Sequence, residues 1–270
     1  MTITADPDLL DVRTWEEPRH LNARGTVFVL AGPGETPEVY QRFATRLASD
    51  AYRVVVISAT DHLAPRAAAE IGQLLADPDQ PGPKVLLGCD AGARAALELA
   101  VSTGADAVIT AGLPVTGAHD ERDWQSEISA RTSCPNHQAV LQRSTRHSLL
   151  HDVPAVRLSA DPSADSTAAG VTVLPASLPV LAVHGGADPL SPLPSALARY
   201  AEVGVSNVWV VDGGLHDILN DVTHRSVAAT IVLFLERLRL DASLPTIIAP
   251  AAARQAEVPP GRSAPTGSRT

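Results

Sequence analysis

The feature that most constrains this chain is a repeated alternation. Short β-branched apolar runs, at Thr26–Ala31, Arg53–Ser58, Lys84–Gly88, Asp106–Ala111, Val180–His184 and Val205–Val211, read as strands. Between them, Pro37–Ser49, Ala64–Ala76, Ala91–Ser102, Leu193–Ala201 and Thr223–Arg239 carry the spacing of amphipathic helices. Continuous apolar runs of this length suit strands covered on both faces. The alternation predicts an α/β fold, a doubly wound, mostly parallel sheet with helices on both sides. Ligands in such sheets bind beyond the carboxyl ends of the strands, so chemistry is expected just after each run.

The alternation is interrupted once. Residues 117–177 hold two expected helices, around Glu121–Arg131 and His137–His151, and then the small-residue run SADPSADSTAAG. An insertion at this point is expected to cover the strand ends as a short lid. The reading therefore divides the chain into an N-terminal arm (1–24), a core (25–116 and 178–240), the lid insertion (117–177) and a disordered Pro/Ala/Ser-rich tail (241–270).

Composition narrows the function. Aromatics make up only 3% of the chain, so core and pocket must be aliphatic, which suits a small apolar substrate. A net charge of −9 argues against a nucleic-acid partner. The N-terminus lacks the basic start and apolar run of a secretory signal, and no apolar stretch is long enough for membrane insertion. The two cysteines, Cys89 and Cys134, make no disulfide framework and fit a reducing cytoplasm. No phosphate-cradling loop is present, and no cofactor or metal is expected: Gly32-Pro33-Gly34 is too short and proline-bound for a dinucleotide fingerprint.

Three short segments carry the chemistry. Gly88-Cys89-Asp90-Ala91-Gly92 follows a strand and leads straight into a helix, the layout of a nucleophile elbow, G-x-Nu-x-G. Small residues at both ends allow a sharp turn and raise the middle side chain beside a helix N-terminus, where an anion is stabilised. Asp also caps helices at such positions. The rest of the chain decides between the two, because Asp188 follows the strand VLAVH and His216 follows the last strand. Nucleophile, acid and histidine thus come in order at strand ends, with Asp188 expected to orient His216 and His216 to face Asp90 or a water.

These residues resemble a known family. The segment AGPGETPEVYQRFATRLASDAYRVVVIS is similar to the opening of monoacylglycerol-lipase and lysophospholipase-like α/β hydrolases, which carry a His-Gly-x-Gly-Glu loop before a helix. The ending GGLHDILNDVTHRSVAATIVLFLERL resembles their histidine loop, where H-E-x-x-N-E is usual and this chain has H-D-I-L-N-D. The resemblance spans Gly25 to about Val115 and Pro179 to Arg239, the stretch between not matching, and implies the α/β-hydrolase fold.

Two departures fall on the chemistry. Asp90 stands where the family has serine, and carboxylate nucleophiles in this fold belong to haloalkane dehalogenases and epoxide hydrolases, which form an alkyl-enzyme ester. The oxyanion loop reads Gly32-Pro33-Gly34, and Pro33 has no N–H to lend, leaving Ala91 as the clear donor unless Gly34 moves into range. Trp124 and His137 (with His147 and His151) are pocket candidates in the lid, because the only tyrosines, Tyr40, Tyr52 and Tyr200, lie outside it. Cys89, at the second elbow position, is expected to be a small buried core residue, and Asp217, Asp221 and His224 are not expected to bind metal. The expected function is hydrolysis of a small epoxide or halide by Asp90, His216 and Asp188. The alternatives are a lyase or cyclase of secondary metabolism using Asp90 and His216 as acid and base, or an inactive ligand-binding pseudo-hydrolase.

Overall fold

The computed structural model describes residues 10–115, 122–146, 174–243 and 247–248. Among these, seven strands form one sheet: β1 (Asp11–Trp15), β2 (Thr26–Leu30), β3 (Arg53–Ser58), β4 (Lys84–Cys89), β5 (Ala107–Ala111), β6 (Val180–Gly185) and β7 (Val208–Val211). Their order is β1-β3-β2-β4-β5-β6-β7. All neighbours are parallel except β1, which pairs antiparallel with β3.

The helices are α1 (Gln41–Ser49), α2 (Pro65–Ala76), α3 (Ala91–Thr103), α4 (Trp124–Arg131), α5 (Pro135–Ser144), α6 (Leu193–Glu202) and α7 (His224–Leu240). Alternate strand residues face opposite sides of the sheet. Val27, Val29, Val54, Val56, Val85 and Leu87 pack with Phe43 and Leu47 of α1 and Val227, Ile231 and Leu235 of α7. Phe28, Leu30, Val55, Ile57 and Leu86 pack on the other face with Ile71 of α2, Ala96 of α3 and Tyr200 of α6. Helices thus cover both faces of the central strands, and burial on both explains their apolar runs; β7 departs from that expectation, because Trp209 and Val210 of this edge strand are exposed. Each large aliphatic side chain so enclosed contributes about 1.5–3 kcal/mol.

The N-terminal arm is not wholly an arm, because β1 lies within it and covers the edge of β3. Four of its five residues are exposed, so the apolar signature that marks the central strands is missing. The interruption of the alternation holds α4 and α5, each shifted from its expected bounds for a local reason. The Asp123 side chain accepts the Ser126 N–H at 3.0 Å and starts α4 at Trp124, while Pro135 opens the first turn of α5. The run SADPSADSTAAG, His147, His151 and nearly all of the expected tail lie outside the described residues.

Strand register brings the chemistry to one edge. Leu30 of β2 aligns with Ile57 and Gly88, Cys89 with Ala111, and Gly185 with Val211. The loops following β2, β4, β5, β6 and β7 therefore meet at the same level.

Candidate active site

Asp90 sits between β4 and α3 with φ 52° and ψ −124°, a conformation that L residues rarely adopt and that costs of order 1–3 kcal/mol. Tight closure of strand on helix sustains it. A Cβ on Gly88 would fall 2.0 Å from the Gly92 carbonyl oxygen, and one on Gly92 would fall 2.2 Å from that of Leu30. Only glycines fit at both positions, and the turn lifts the Asp90 side chain above the strand end.

Asp188 follows β6, where its Oδ1 accepts the N–H groups of Leu190 (2.8 Å) and Ser191 (2.9 Å). That leaves Oδ2 to accept from His216 Nδ1 at 2.8 Å. The opposite nitrogen of His216, Nε2, lies 3.5 Å from Asp90 Oδ2. Gly112, just past β5, gives His216 its room, since a Cβ there would stand 2.7 Å from the His216 carbonyl oxygen. The three residues expected from the sequence are thus brought together. Burial opposes charge on His216, but the carboxylates of Asp188 and Asp90 outweigh it and hold the imidazole well above the ordinary histidine value.

The sequence reading missed the residue on the other side of Asp90. Arg131, in the last turn of α4, donates from Nη2 to Asp90 Oδ2 at 2.9 Å. Its Nε meets Glu127 Oε1 at 2.9 Å, and its Nη1 lies 3.3 Å from Asp217 Oδ1 and 3.9 Å from Glu35 Oε1. Burial alone would raise the Asp90 carboxyl, yet the Arg131 charge and His216 hold it well below the usual carboxylate range. The i,i+4 spacing of Glu127 and Arg131 was visible in the sequence, but it also fits a solvated helix face.

The loop after β2 departs from a working oxyanion hole in a second way. Besides the missing N–H of Pro33, the Gly32 N–H is already taken, donating to Glu35 Oε2 (3.0 Å) and lying 2.9 Å from the Tyr40 hydroxyl oxygen. Tyr40 in turn donates to Glu35. The Gly34 carbonyl accepts the Arg146 N–H at 2.8 Å. Burial first, and then the Asp217 charge, push Glu35 up to about 7 despite Arg131. Ala91 opens α3 beside Asp90, where helix N–H groups have no partner within the helix.

The remaining candidates divide. His137 reaches the site, with Nε2 3.2 Å from Asp217 Oδ2, whereas Trp124 is partly buried against the core and does not line the pocket. Cys89 is half-buried and lines the pocket, which corrects the expectation of a purely core residue. Its thiol is pushed up by burial and is no ready nucleophile. Tyr40, too, belongs to the pocket wall although it lies outside α4 and α5. Asp221 is a brace: Oδ1 accepts from Thr132 Oγ1 (2.9 Å) and the Ser133 N–H (3.0 Å), and Oδ2 from the Leu215 N–H (3.2 Å). Among the described residues no group of three His, Cys, Asp or Glu side chains is placed to hold a metal. The pocket over Asp90 and His216 encloses about 10 Å3, roughly the space of one water.

A mostly parallel sheet with an acid at the elbow after β4, a second acid after β6 and a histidine after β7 defines a class: the chain has the α/β-hydrolase fold. Its structure is similar to a monoglyceride lipase from Saccharomyces cerevisiae, with 14% identity, 85% of this chain and 92% of that chain covered, and a TM-score of 0.66. It is also similar to an esterase from Exiguobacterium antarcticum (15% identity, 84% and 95% covered, TM-score 0.60). A bromoperoxidase from Bacillus anthracis shows the same likeness (15% identity, 84% and 95% covered, TM-score 0.57). No family model and no curated protein matches the sequence. Among the described residues, no helix is long and apolar enough to cross a membrane.

Proposed function

We propose that the chain is a hydrolase of a small apolar epoxide or halide, with Asp90 as nucleophile and His216 and Asp188 as the water-activating pair. The observation that carries this reading is the Asp90 carboxyl raised on the elbow, 2.9 Å from Arg131 Nη2 and 3.5 Å from a histidine that Asp188 orients. Asp90 attacks the electrophilic carbon and forms an alkyl ester. A halide leaves as the anion, whereas an epoxide oxygen opens as an alkoxide and takes its proton from His216, the charged imidazole 3.5 Å from Asp90 Oδ2.

Esterification removes the negative charge of Asp90, and with it part of what keeps His216 protonated. With its proton given to the epoxide alkoxide, or to solvent once a halide has left, neutral His216 accepts one from the water that attacks Asp90 Cγ. The resulting oxyanion develops on Oδ2, 2.9 Å from Arg131 Nη2. Arg131 so takes over from the backbone donors lost at Gly32 and Pro33. Collapse returns the carboxylate and releases the alcohol. The described cysteines are free thiols, in keeping with a cytoplasmic setting.

The lyase or cyclase alternative would have to use Asp90 as the base and His216 as the acid, because the Asp90 carboxyl is held below the usual carboxylate range and His216 above the ordinary histidine value. One observation favours a different second reading, a ligand-binding protein without turnover: Arg131 lies against Asp90 and the pocket has room for about one water. Incubation with terminal epoxides and haloalkanes in 18O-water, followed by mass spectrometry of the elbow peptide, separates the two. Label in Asp90 after turnover, and an alkyl adduct on Asp90 in His216→Gln, are the expected results. Turnover of neither class, with no adduct in either protein, sinks the hydrolase reading and leaves the binding one.

A further inference from the structure

Outside the triad pocket, a groove of about 1090 Å3 runs between α1 and α5. Its walls carry Arg42, Thr45, Arg46 and Ser49 from α1 and Asn136 and Arg143 from α5. Arg42 and Arg46, four residues apart, project from one face of α1, and Arg143 belongs to the opposing helix. We infer that this groove is a binding site for the oxyanion group, carboxylate or phosphate monoester, of a small molecule.

Among the described residues, the guanidinium groups of this groove carry unpaired charge. The chain has a net charge of −9, and Arg13, Arg24, Arg53, Arg66, Arg94, Arg131, Arg199 and Arg239 each stand within ion-pair distance of a carboxylate. Among the described residues none of Arg42, Arg46 and Arg143 does. Arg42 donates to the Asn220 carbonyl and to Cys134 Sγ (3.4 Å), and Arg143 donates to the Ala139 carbonyl of its own helix (2.9 Å). The Arg46 Nε is buried with no hydrogen-bond partner in the described structure. Of the groove's two carboxylates, Glu38 is paired with Arg13 at 2.9 Å, and Asp50, the C-cap of α1, is within ion-pair distance of none of the three arginines among the described residues.

The field of these arginines is felt nearby. His224 is held below the ordinary histidine value, by burial first and then by the charges of Arg42, Arg46 and Arg225. A planar guanidinium presents a fork of donors that matches the two oxygens of a carboxylate or phosphate. Thr45, Ser49 and Asn136 add neutral donors around it. Val39, His137 and Asn220 line both this groove and the pocket above Asp90. A molecule anchored by its anionic end here therefore directs its other end toward the triad. That last step rests on the proposed function, whereas the anion site itself does not.

Calorimetric titration of phenyl phosphate, benzoate and benzyl alcohol into wild type, Arg46→Gln, Arg143→Gln and Asp90→Asn is the test. At least one of the two anions is expected to bind saturably and the alcohol not to bind. Each arginine substitution should weaken the anion by roughly tenfold. Preference between phenyl phosphate and benzoate identifies the oxyanion. Raising the salt on wild type should weaken binding as well, which keeps the site testable even if a variant folds poorly. Asp90→Asn should bind as wild type does, so loss of turnover there leaves the anion site standing. Absence of saturable anion binding, or binding indifferent to both substitutions and to salt, overturns the inference.

Discussion

Arg131 Nη2 lies 2.9 Å from Asp90 Oδ2, and the same guanidinium faces Glu127, Asp217 and Glu35, so one cation serves four carboxylates. Two of its partners come from other loops and one from its own helix, while Asp90 is the elbow residue itself. The arrangement ties α4 to the site more firmly than a solvated cover would require.

Arg131→Met should therefore destabilise the protein by about 3–5 kcal/mol at pH 7, the cost of leaving buried carboxylates without their cation. Without Arg131, less opposes the effect of burial on Asp90 and Glu35, so their folded-state values should rise. The penalty should then shrink as pH falls toward the unfolded carboxylate range and the buried groups protonate. Urea denaturation at pH 7 and pH 5 checks both statements, and a loss below ~1 kcal/mol at pH 7 contradicts the first.

Glu35 gives a second pH signature. Its folded value of about 7 lies above the ordinary 4.5, so the folded state binds the extra proton between those limits. Stability should fall as pH rises from about 4.5 to about 7, by an amount of order 3 kcal/mol. His216, also raised, adds a loss in the same direction at higher pH, and Asp188, lowered, acts only below the ordinary carboxylate range. Glu35→Gln keeps an acceptor for the Gly32 N–H and should flatten the 4.5–7 slope in urea titrations; an unchanged slope assigns it to another group.

The elbow glycines and a helix glycine should respond in opposite senses. Gly92→Ala places a Cβ 2.2 Å from the Leu30 carbonyl oxygen, which belongs to a central strand and cannot yield cheaply. A fall in Tm large enough to compromise soluble expression is expected. Gly72, inside α2, has nothing within 4 Å of its built Cβ. Gly72→Ala should stabilise by about 0.4–1 kcal/mol, and thermal melts of the two variants decide it.

Asp188→Asn retains a carbonyl oxygen for the Leu190 and Ser191 N–H groups but no longer fixes the His216 tautomer. Under the proposed chemistry, turnover should fall by roughly ten-thousandfold with little change in Tm. Ester should accumulate on Asp90, because His216 is needed for the second step and not the first. Mass spectrometry of the elbow peptide under saturating substrate gives the answer.

The sequence made the sheet and the placement of the triad legible because both depend on local pattern. Strands buried on both faces announce themselves as apolar runs, and Gly88, Gly92, Asp188 and His216 each sit at the end of one. β1 escaped notice because an exposed edge strand, here DVRTW, has no apolar run to display. Arg131 and Glu35 escaped for a different reason. They are 41 and 55 residues from Asp90 along the chain; Glu35 shows only as the glutamate of the Gly-Pro-Gly-Glu loop, and nothing local marks either residue as a charge that distant loops will bury beside Asp90. The same holds for Tyr40, whose helical spacing reads as core while its hydroxyl reaches the Gly32 N–H.

The Arg131 cluster bears on modularity. Segments that cover an active site are attractive units to exchange between relatives when specificity is to be redesigned. Here a graft replacing α4 and α5 would remove the cation of Asp90, Asp217 and Glu35, and with it the Thr132 and Ser133 donors that brace the histidine loop through Asp221. The donor segment would have to bring its own buried guanidinium at the position of Arg131, or the acceptor scaffold would have to surrender its acids at the same time.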